Sequence, residues 1–198
     1  MIKAIIFDMG GVVFKNVMDD TYEEVGKKFD IDPKLVKDES RSLRIEWQLN
    51  KISTEEFFRR LASILKISDA SSLKDVWNEA FIENCAPNKK AIEIIKKLKR
   101  QDYKVAVLSN VTDMYTNHHR DRKDYDLFSF VFLSFELRMR KPEKEIYEYV
   151  INKMNVKFEE CIFIDDKEVN LVTARKLGMK TILFQSAEQL EKELKKLL

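Results

Sequence analysis

The sequence is poor in residues that would cross-link or anchor the chain. It has two cysteines in 198 residues, Cys85 and Cys161, and their separation matches no zinc or redox motif. We therefore expect no disulfide framework and two reduced thiols in a cytoplasmic protein. No stretch approaches the roughly 20 apolar residues of a membrane helix. The short apolar start ends at Asp8, so we expect neither a signal peptide nor a membrane partner.

An excess of charge of one sign is also lacking. The 36 basic and 34 acidic residues are interspersed and leave a net charge of +2, so we expect no nucleic-acid partner. Hydrophobic residues make up 44% of the chain, as in an ordinary globular protein. The length fits one α/β domain with a small insertion, and chains of this size bury roughly 70% of their unfolded surface.

The first fourteen residues organise the rest of the chain. An almost wholly apolar run from Ile2 to Phe7 ends at Asp8 and is followed by Gly10 and Gly11. Such a run is typical of a strand that is buried on both faces of a parallel sheet. Open α/β sheets bind ligands at the carboxyl ends of their strands. The glycines permit close backbone approach or positive φ, although a capped tight turn explains this stretch equally well.

Residues 15–85 contain many charges and helix formers but no convincing strand. Pro33 suits the first turn of a helix capped by Asp32. Ser53 and Glu56 form a capping-box pattern ahead of apolar residues at helical spacing, among them Ile64. The predicted helices cover 21–29, 33–38, 39–50, 54–65 and 73–83. We expect this block to be an all-helical insertion between the first strand and the remainder of the sheet.

From residue 86 onwards, strands and helices alternate. Strands are predicted over 104–108, 130–135, 161–164 and 181–184, and helices over 88–100, 112–119, 143–154, 170–177 and 187–198. Gly178 is the expected C-cap of the penultimate helix. This alternation predicts an α/β fold, a Rossmann-like parallel sheet with helices on both faces. The predicted core is 1–14 with 86–198, and the predicted helical cap is 15–85.

Polar residues follow three of the predicted strands. They are Asp8; Ser109 with Asn110; and Asp165 with Asp166. Lys141 adds a cation from a loop. A divalent cation such as Mg²⁺ would neutralise clustered carboxylates, and it commonly shares its ligands with a phosphate. Lysine and hydroxyl or amide donors would hold phosphate oxygens, and Asp8 is placed to attack phosphorus.

These motifs resemble the haloacid dehalogenase superfamily, most of whose members are phosphatases that pass through an aspartyl-phosphate. Four motifs carry the resemblance, in the family's order and spacing over the whole chain: Phe7-Asp8-Met9-Gly10-Gly11-Val12-Val13, Leu108-Ser109-Asn110, Arg140-Lys141-Pro142-Glu143 and Phe163-Ile164-Asp165-Asp166. The tail from Asn170 to Met179 also fits. Residues 15–85 then resemble the family's helical cap.

The resemblance implies a role for each site residue and Mg²⁺ as the cofactor. Asp8 would be the nucleophile and a metal ligand, and Lys141 would neutralise charge between Asp8 and the phosphate. Gly10 would offer its carbonyl to the metal, Asp166 would bind it directly, and Asp165 would act through a metal-bound water. The residues implied to bind substrate are Ser109, Asn110 and Gly11.

One position departs from the family pattern. Most phosphatases of this family carry a second aspartate two residues after the nucleophile, as general acid and base, and here that position is Gly10. General acid–base catalysis contributes ~10²–10⁴ in rate. A phosphatase would then act on a substrate with a less basic leaving oxygen, such as a sugar 1-phosphate or acyl phosphate. A glucose-1-phosphatase-like branch has a similar Asp-x-Gly motif.

Two alternatives stay open. A carbon–halogen hydrolase needs no proton on its leaving group, but that branch usually has Tyr-Gly-Thr where this chain has Gly10-Gly11-Val12. A non-catalytic binding or regulatory relative would also tolerate Gly10. The retained Asp8, Lys141 and Asp166 favour a hydrolase whose partner is a small phosphorylated molecule.

Several further residues receive simple structural interpretations. His118 and His119 are expected in a solvated loop, although either could replace the missing acid. Asp113 is expected as a helix-end charge and Trp47 as packing, with Arg44 one turn away and able to face substrate. Arg138 and Arg140 are expected to be solvated. A monomer and a homodimer are equally compatible with the sequence.

Overall fold

A computed structural model describes all residues, 1–198. Its five strands are β1 (Ala4–Phe7), β2 (Lys104–Ser109), β3 (Phe130–Leu133), β4 (Cys161–Asp165) and β5 (Lys180–Leu183). All pair in parallel, in the order β3-β2-β1-β4-β5. The α/β prediction is confirmed, and β1 lies at the centre of the sheet.

Ten helices surround or extend this sheet. They are α1 (Met18–Phe29), α2 (Pro33–Gln48), α3 (Thr54–Leu65), α4 (Ala70–Asn84), α5 (Lys89–Arg100), α6 (Asp113–Asp121), α7 (Ser134–Leu137), α8 (Lys144–Met154), α9 (Glu168–Lys176) and α10 (Ala187–Leu197). Short 3-10 turns cover Asp124–Leu127 and Phe158–Glu160. No helix has the combined length and apolarity that crossing a bilayer would require.

Successive residues of the strands enter opposite cores, because side chains alternate along a strand. On one face, Ile5 and Phe7 of β1 pack with Ile95 of α5 and Leu190 of α10. On the other face, Ala4 and Ile6 pack with residues of α8 and α9, including Tyr147 and Leu171. The central strands β1 and β4 are buried at every residue, and β2 at all but Lys104, because both faces of the sheet are covered there.

A third core belongs to α1–α4, which we call the helical block. Its centre is aromatic: Trp47 stacks on Phe57 with ring centroids 4.3 Å apart, and Phe57 and Phe58 meet Trp77 edge to face. The backbone enters and leaves this block side by side. Lys15 N donates to Ala86 O at 2.9 Å.

Some helix boundaries predicted from the sequence are wrong in the helical block. The predicted helices 33–38 and 39–50 are one continuous helix, α2, because nothing between them breaks the backbone and Ser40 is buried inside it. Helix α4 begins at Ala70, earlier than predicted, since Asp69 caps it by accepting from Ser71 N at 2.9 Å. Ile64, expected on the buried face of α3, is exposed.

Some boundaries predicted from residue 86 onwards also need small corrections. Strand β3 ends at Leu133 rather than residue 135, because Ser134 turns into the short helix α7. The Ser134 hydroxyl accepts from Val111 N at 3.0 Å, which ties the segment after β3 to the segment after β2. The C-cap of α9 is Leu177, one residue before the predicted Gly178, which follows it with φ of 101°. Both cysteines are free and buried.

Candidate active site

The carboxyl edge of the sheet brings three aspartates together. Asp8 follows β1, Asp165 closes β4 and Asp166 follows it. Each offers an oxygen, and these oxygens lie within 4.8 Å of one another. Strands β1 and β4 pair directly, with Phe7 opposite Ile164, so the parallel register sets this proximity.

Lys141 supplies the charge that this cluster needs. It lies in the loop between α7 and α8, its side chain is 1% exposed, and its Nζ lies 2.8 Å from Asp8 Oδ1 and 2.7 Å from Asp165 Oδ2. Burial opposes the charged ammonium, but the two carboxylates outweigh it and raise the pKa of Lys141. One buried lysine therefore bridges two buried aspartates.

Both carboxylate oxygens of Asp165 accept hydrogen bonds from neighbouring residues. Besides Lys141, it accepts from Lys167 N at 2.8 Å and from the Asn170 side-chain amide at 3.0 Å. The Asn170 carbonyl in turn accepts from the Tyr147 hydroxyl at 2.8 Å. These bonds hold the Asp165 carboxylate in place, so it orients Lys141 and shapes the start of α9.

Asn110 is attached to the backbone of Lys141 rather than standing free. Its Oδ1 accepts from Lys141 N at 2.9 Å, and its Nδ2 donates to Lys141 O at 2.8 Å. This two-way bond fixes the lysine loop against the end of β2. Ser109, the last residue of β2, is buried at the floor of the adjoining cavity.

Asp166 and Gly11 provide a test of whether a metal fits. Oδ1 of Asp166 is buried and has no hydrogen-bond partner, which is costly unless a cation occupies the space in front of it. A Cβ on Gly11, whose φ is 90°, would lie 2.3 Å from Asp166 Oδ2. The glycine thus leaves the room that the Asp166 carboxylate fills. Clustered carboxylates with an unpaired oxygen suit Mg²⁺.

Asp8 is held in an environment that opposes its charge. Burial raises the pKa of Asp8 to about 6, with Asp165 adding to the rise while Lys141 and Lys167 counteract it. Its Oδ1 also accepts from Met9 N at 2.7 Å. Burial likewise raises the pKa of Asp166. A cation between these carboxylates would favour their ionised forms.

Gly10, at the position of the missing acid, lines the cavity. A Cβ built there meets no heavy atom within 4 Å, and its φ is not in the left-handed region. Space therefore exists for a side chain, in contrast with Gly11. The lack of a carboxylate at position 10 is a feature of the sequence and not a steric requirement of the fold.

A cavity of about 380 Å³ lies between this edge and the helical block. Asp8, Ser109 and Lys141 line its floor, and residues of α2 line its roof. Gln48 of α2 donates to the Asn110 carbonyl at 3.4 Å. The volume suits a small metabolite, since ligand sites are commonly ~300–1,000 Å³.

Contacts from α6 attach the helical block to the sheet. Asp113 accepts from the Trp47 indole at 2.8 Å and from the Thr54 hydroxyl at 2.7 Å. Trp77 donates to the Tyr115 hydroxyl at 2.5 Å. Trp47 is packed as predicted, whereas Asp113, expected as a simple helix-end charge, also joins the two parts of the molecule.

The expectation of two solvated loop histidines was wrong for His118, which lies in helix α6 and is half-buried, and also for His119. His119 lies in the same helix, is buried, and its Nδ1 is 2.8 Å from Asp124 Oδ2. Burial lowers the pKa of His119 despite the neighbouring carboxylate. Arg140, also expected in solvent, is half-buried and lines the cavity. Neither placement has a local sequence signal, because both depend on how the helices pack.

Comparison with known proteins places these features in a family. The chain is 29% identical to a sesquiterpene phosphatase of Aspergillus oryzae over 180 residues, covering 89% of this chain and 87% of the relative. It is 26% identical to a D-ribitol-5-phosphate phosphatase of Bacteroides thetaiotaomicron, covering 98% and 97%.

A solved structure shares the fold. The structure of a HAD family enzyme of Bacteroides thetaiotaomicron, in complex with magnesium and inorganic phosphate, superposes with a TM-score of 0.73 at 23% identity, covering 94% of this chain and 96% of that one. The family model of haloacid dehalogenase-like hydrolases matches residues 2–178. The chain therefore belongs to the haloacid dehalogenase-like hydrolase family.

Proposed function

We propose that the protein is a Mg²⁺-dependent phosphomonoester hydrolase that acts on a small phosphorylated metabolite. The observation that carries this proposal is the pairing of Lys141 with Asp8 at the cavity floor, next to Asp166 with its partnerless carboxylate oxygen. The names of the two phosphatase relatives and the magnesium and phosphate in the related structure support it.

The proposed reaction has two steps, formation and hydrolysis of an aspartyl-phosphate. An oxygen of Asp8 attacks phosphorus, the bond to the leaving oxygen breaks with its electron pair, and an aspartyl-phosphate forms. Water then attacks the same phosphorus, which releases phosphate and restores the Asp8 carboxylate. Lys141 offsets the negative charge that Asp8 and the phosphate bring together, and Ser109 donates to a phosphate oxygen.

Asp8, Asp166 and the Gly10 carbonyl would hold the Mg²⁺. When bound, the ion supplies positive charge that stabilises the phosphoryl oxygens. Asp165 and Asn110 act as positioning residues, since their hydrogen bonds fix the Lys141 side chain and backbone. Gly11 keeps the space beside Asp166 free of a side chain.

We propose that residues 15–85 form a cap that excludes water from the cavity during reaction. The support is that the helical block has its own core and that its two connections run together. Asn88 N donates to Val13 O at 2.8 Å, next to the Lys15–Ala86 bond. These connections are the natural hinge positions.

The absence of an acid at Gly10 favours a substrate with a weakly basic leaving oxygen. A sugar 1-phosphate or an acyl phosphate meets this requirement, because its leaving group departs without prior protonation more readily than an alkoxide. A sugar phosphate is the first candidate. The name of the D-ribitol-5-phosphate phosphatase relative supports a phosphorylated polyol or sugar in general, but its leaving oxygen is an alkoxide.

A second candidate function also follows from Gly10. Without the family's acid and base, the chain could bind a phosphorylated ligand with little turnover. Such a protein would keep Mg²⁺ and ligand affinity but would lose the second step, in which water must be activated. The ordered Asp8–Lys141 pair fits either function, so turnover itself decides between them.

Phosphate release tests the proposal. The purified protein is incubated with Mg²⁺ and sugar phosphates, acyl phosphates and 4-nitrophenyl phosphate, and Asp8→Asn serves as the matched variant. We expect Mg²⁺-dependent release that chelator and Asp8→Asn both abolish. Folded protein that releases no phosphate from any compound contradicts the hydrolase and supports the binding relative.

A further inference from the structure

The cavity carries far more positive than negative charge. Its lining includes six basic side chains and only one carboxylate, that of Asp8; the basic residues are Lys15, Arg41, Arg44, Arg140, Lys141 and Lys167. A single transferred phosphate is a dianion, and Mg²⁺ would already neutralise part of it. The excess positive charge therefore exceeds what one phosphoryl group requires.

Three of these cations are neutralised within the protein. Lys141 pairs with Asp8 and Asp165, Lys15 lies 2.7 Å from Asp20, and Arg41 lies 3.2 Å from Asp38. The other three have no carboxylate oxygen within 4.0 Å. Of those, Lys167 directly follows Asp166 at the carboxyl edge of the sheet, and its backbone N donates to Asp165 Oδ1 at 2.8 Å. This leaves Arg44 and Arg140.

Arg140 is an incompletely satisfied guanidinium. It is half-buried, its Nε is buried with no hydrogen-bond partner, and a terminal nitrogen lies 3.5 Å from Gln48 Oε1. Burial lowers the pKa of Arg140, the negative charge of Glu143 partly offsets this, and the positive charge of Arg44 lowers it further. Two neighbouring cations with no carboxylate in direct contact are costly, and a bound anion would reduce that cost.

Helix α2 aims Arg44 into the cavity by its periodicity. Val36, Ser40, Leu43 and Trp47 form its buried face. Arg41, Arg44, Ile45 and Gln48 share the adjacent face, because residues three and four apart lie together on a helix, and this face lines the cavity. Arg44 Nη1 donates to the Tyr22 hydroxyl, a neutral partner that holds the side chain without cancelling its charge.

We propose that Arg44 and Arg140 form a second anion site, and that the substrate carries, besides the phosphate to be removed, another anionic group that binds there. This rests on the proposed function, because it assigns the opposite end of the ligand to Asp8, Lys141 and Ser109. A carboxylate or a second phosphate fits, since a planar guanidinium binds either through paired hydrogen bonds. A sugar phosphate without a second anionic group leaves both arginines without an anionic partner.

Matched ligand pairs test the proposal by binding alone. Calorimetry with Mg²⁺ and Asp8→Asn, which blocks turnover, compares glycerol 3-phosphate with 3-phosphoglycerate, and fructose 6-phosphate with fructose 1,6-bisphosphate. Charge-assisted hydrogen bonds contribute roughly tenfold or more in affinity. We expect the compound with the extra anion to bind at least about tenfold more tightly in one pair, and the pair concerned identifies carboxylate or phosphate.

Substitutions then locate the site. In the Asp8→Asn background, Arg140→Gln and Arg44→Gln each reduce the preference to below about threefold and change binding of glycerol 3-phosphate little. Arg140→Lys restores part of the preference. Arg138→Gln and Arg59→Gln remove an exposed charge from the same loop and from the helical block, and they leave the preference unchanged. A purely structural role would weaken both members of a pair equally.

The outcomes separate this proposal from the proposed function. Equal affinities within both ligand pairs overturn the second anion site, whether or not the variants fold. A preference that persists in both folded arginine variants overturns it as well. Failure of the Asp8-containing protein to release phosphate from any compound contradicts the hydrolase instead, and the binding ratios are still measured.

Discussion

Gly10→Asp tests whether a proton donor is what this active site lacks. The change places a carboxylate two residues after Asp8. An added Cβ meets no heavy atom within 4 Å, and the backbone is not left-handed, so the fold should tolerate it. Replacing glycine where the backbone is compatible commonly stabilises a protein by ~0.4–1 kcal/mol through the unfolded state.

The magnitude follows from what a general acid contributes. Positioned acids supply ~10²–10⁴ in rate, and an introduced group without evolved support should give less than this range. We expect kcat for an alkyl phosphate to rise about tenfold, equivalent to ~1.4 kcal/mol of barrier. KM should also rise, because a further carboxylate repels the phosphate beside Asp8.

The assay compares leaving groups. Phosphate release is measured for glycerol 3-phosphate, whose leaving alkoxide needs a proton, and for 4-nitrophenyl phosphate, whose phenolate needs little. Gly10→Asn is the matched control, with a similar shape but no acid. The gain should appear for Gly10→Asp only, and mainly with the alkyl substrate.

An equal response of Gly10→Asp and Gly10→Asn on the alkyl phosphate would refute this reasoning. It would mean that proton transfer does not limit turnover or that position 10 does not reach the leaving oxygen. A wild-type rate that is independent of the leaving group would point to a different proton donor in the cavity.

Three further outcomes are expected. Gly11→Ala should weaken Mg²⁺ binding in calorimetry, because its Cβ would lie 2.3 Å from the Asp166 carboxylate. Gly10→Ala is the control and should leave Mg²⁺ binding unchanged. Equal Mg²⁺ affinities of the two variants would exclude Asp166 as a ligand. Lys141→Met should lower the free energy of unfolding in urea by about 3–5 kcal/mol, because it leaves buried carboxylates unpaired; a loss below about 1 kcal/mol would mean that solvent already screens them. Burial lowers the pKa of His119 below its usual 6.5, so the unfolded chain binds a proton more readily than the folded one. Protonation of His119 should therefore reduce the free energy of unfolding as pH falls below 6.5, by at most ~1.4 kcal/mol per pH unit. His119→Gln should flatten the slope of stability between pH 6.5 and 5.5, and an unchanged slope would contradict this.

The sheet and its polar edge could be predicted because their signals are local. Apolar strands ending in Asp8, Ser109 and Asp165 specify parallel strands, and parallel strands bring their carboxyl ends to one edge. Lys141 was added as a loop cation that could balance the carboxylates, and only the family resemblance gave it a role, since a loop lysine has no pattern of its own. The expectation that the aspartates converge rested on topology and not on contacts.

The features that the sequence did not reveal depend on packing between distant elements. Nothing near Arg140 signals that α2 will cover it, and nothing near His119 signals that Phe14 and Phe81 will enclose its ring. Asn110 was expected to hold phosphate, and its bonds to the Lys141 backbone arise only once β2 and the lysine loop meet. Phosphate binding by Asn110 stays a prediction. Its role in positioning Lys141 depends on tertiary packing, which the sequence does not show.

A pre-steady-state burst is the most direct test of the central claim, that Asp8 is phosphorylated during hydrolysis. With no carboxylate at Gly10 to activate water, the second step should be slower than the first for an aryl phosphate. Rapid mixing with 4-nitrophenyl phosphate and Mg²⁺ should then release about one equivalent of nitrophenol per active site before steady turnover.

Acid quenching and mass spectrometry identify the phosphorylated residue. The account predicts one phosphoryl group on the peptide that contains Asp8, and neither burst nor label in Asp8→Asn. Steady Mg²⁺-dependent turnover with a label on another residue, or a burst that survives in Asp8→Asn, would contradict it.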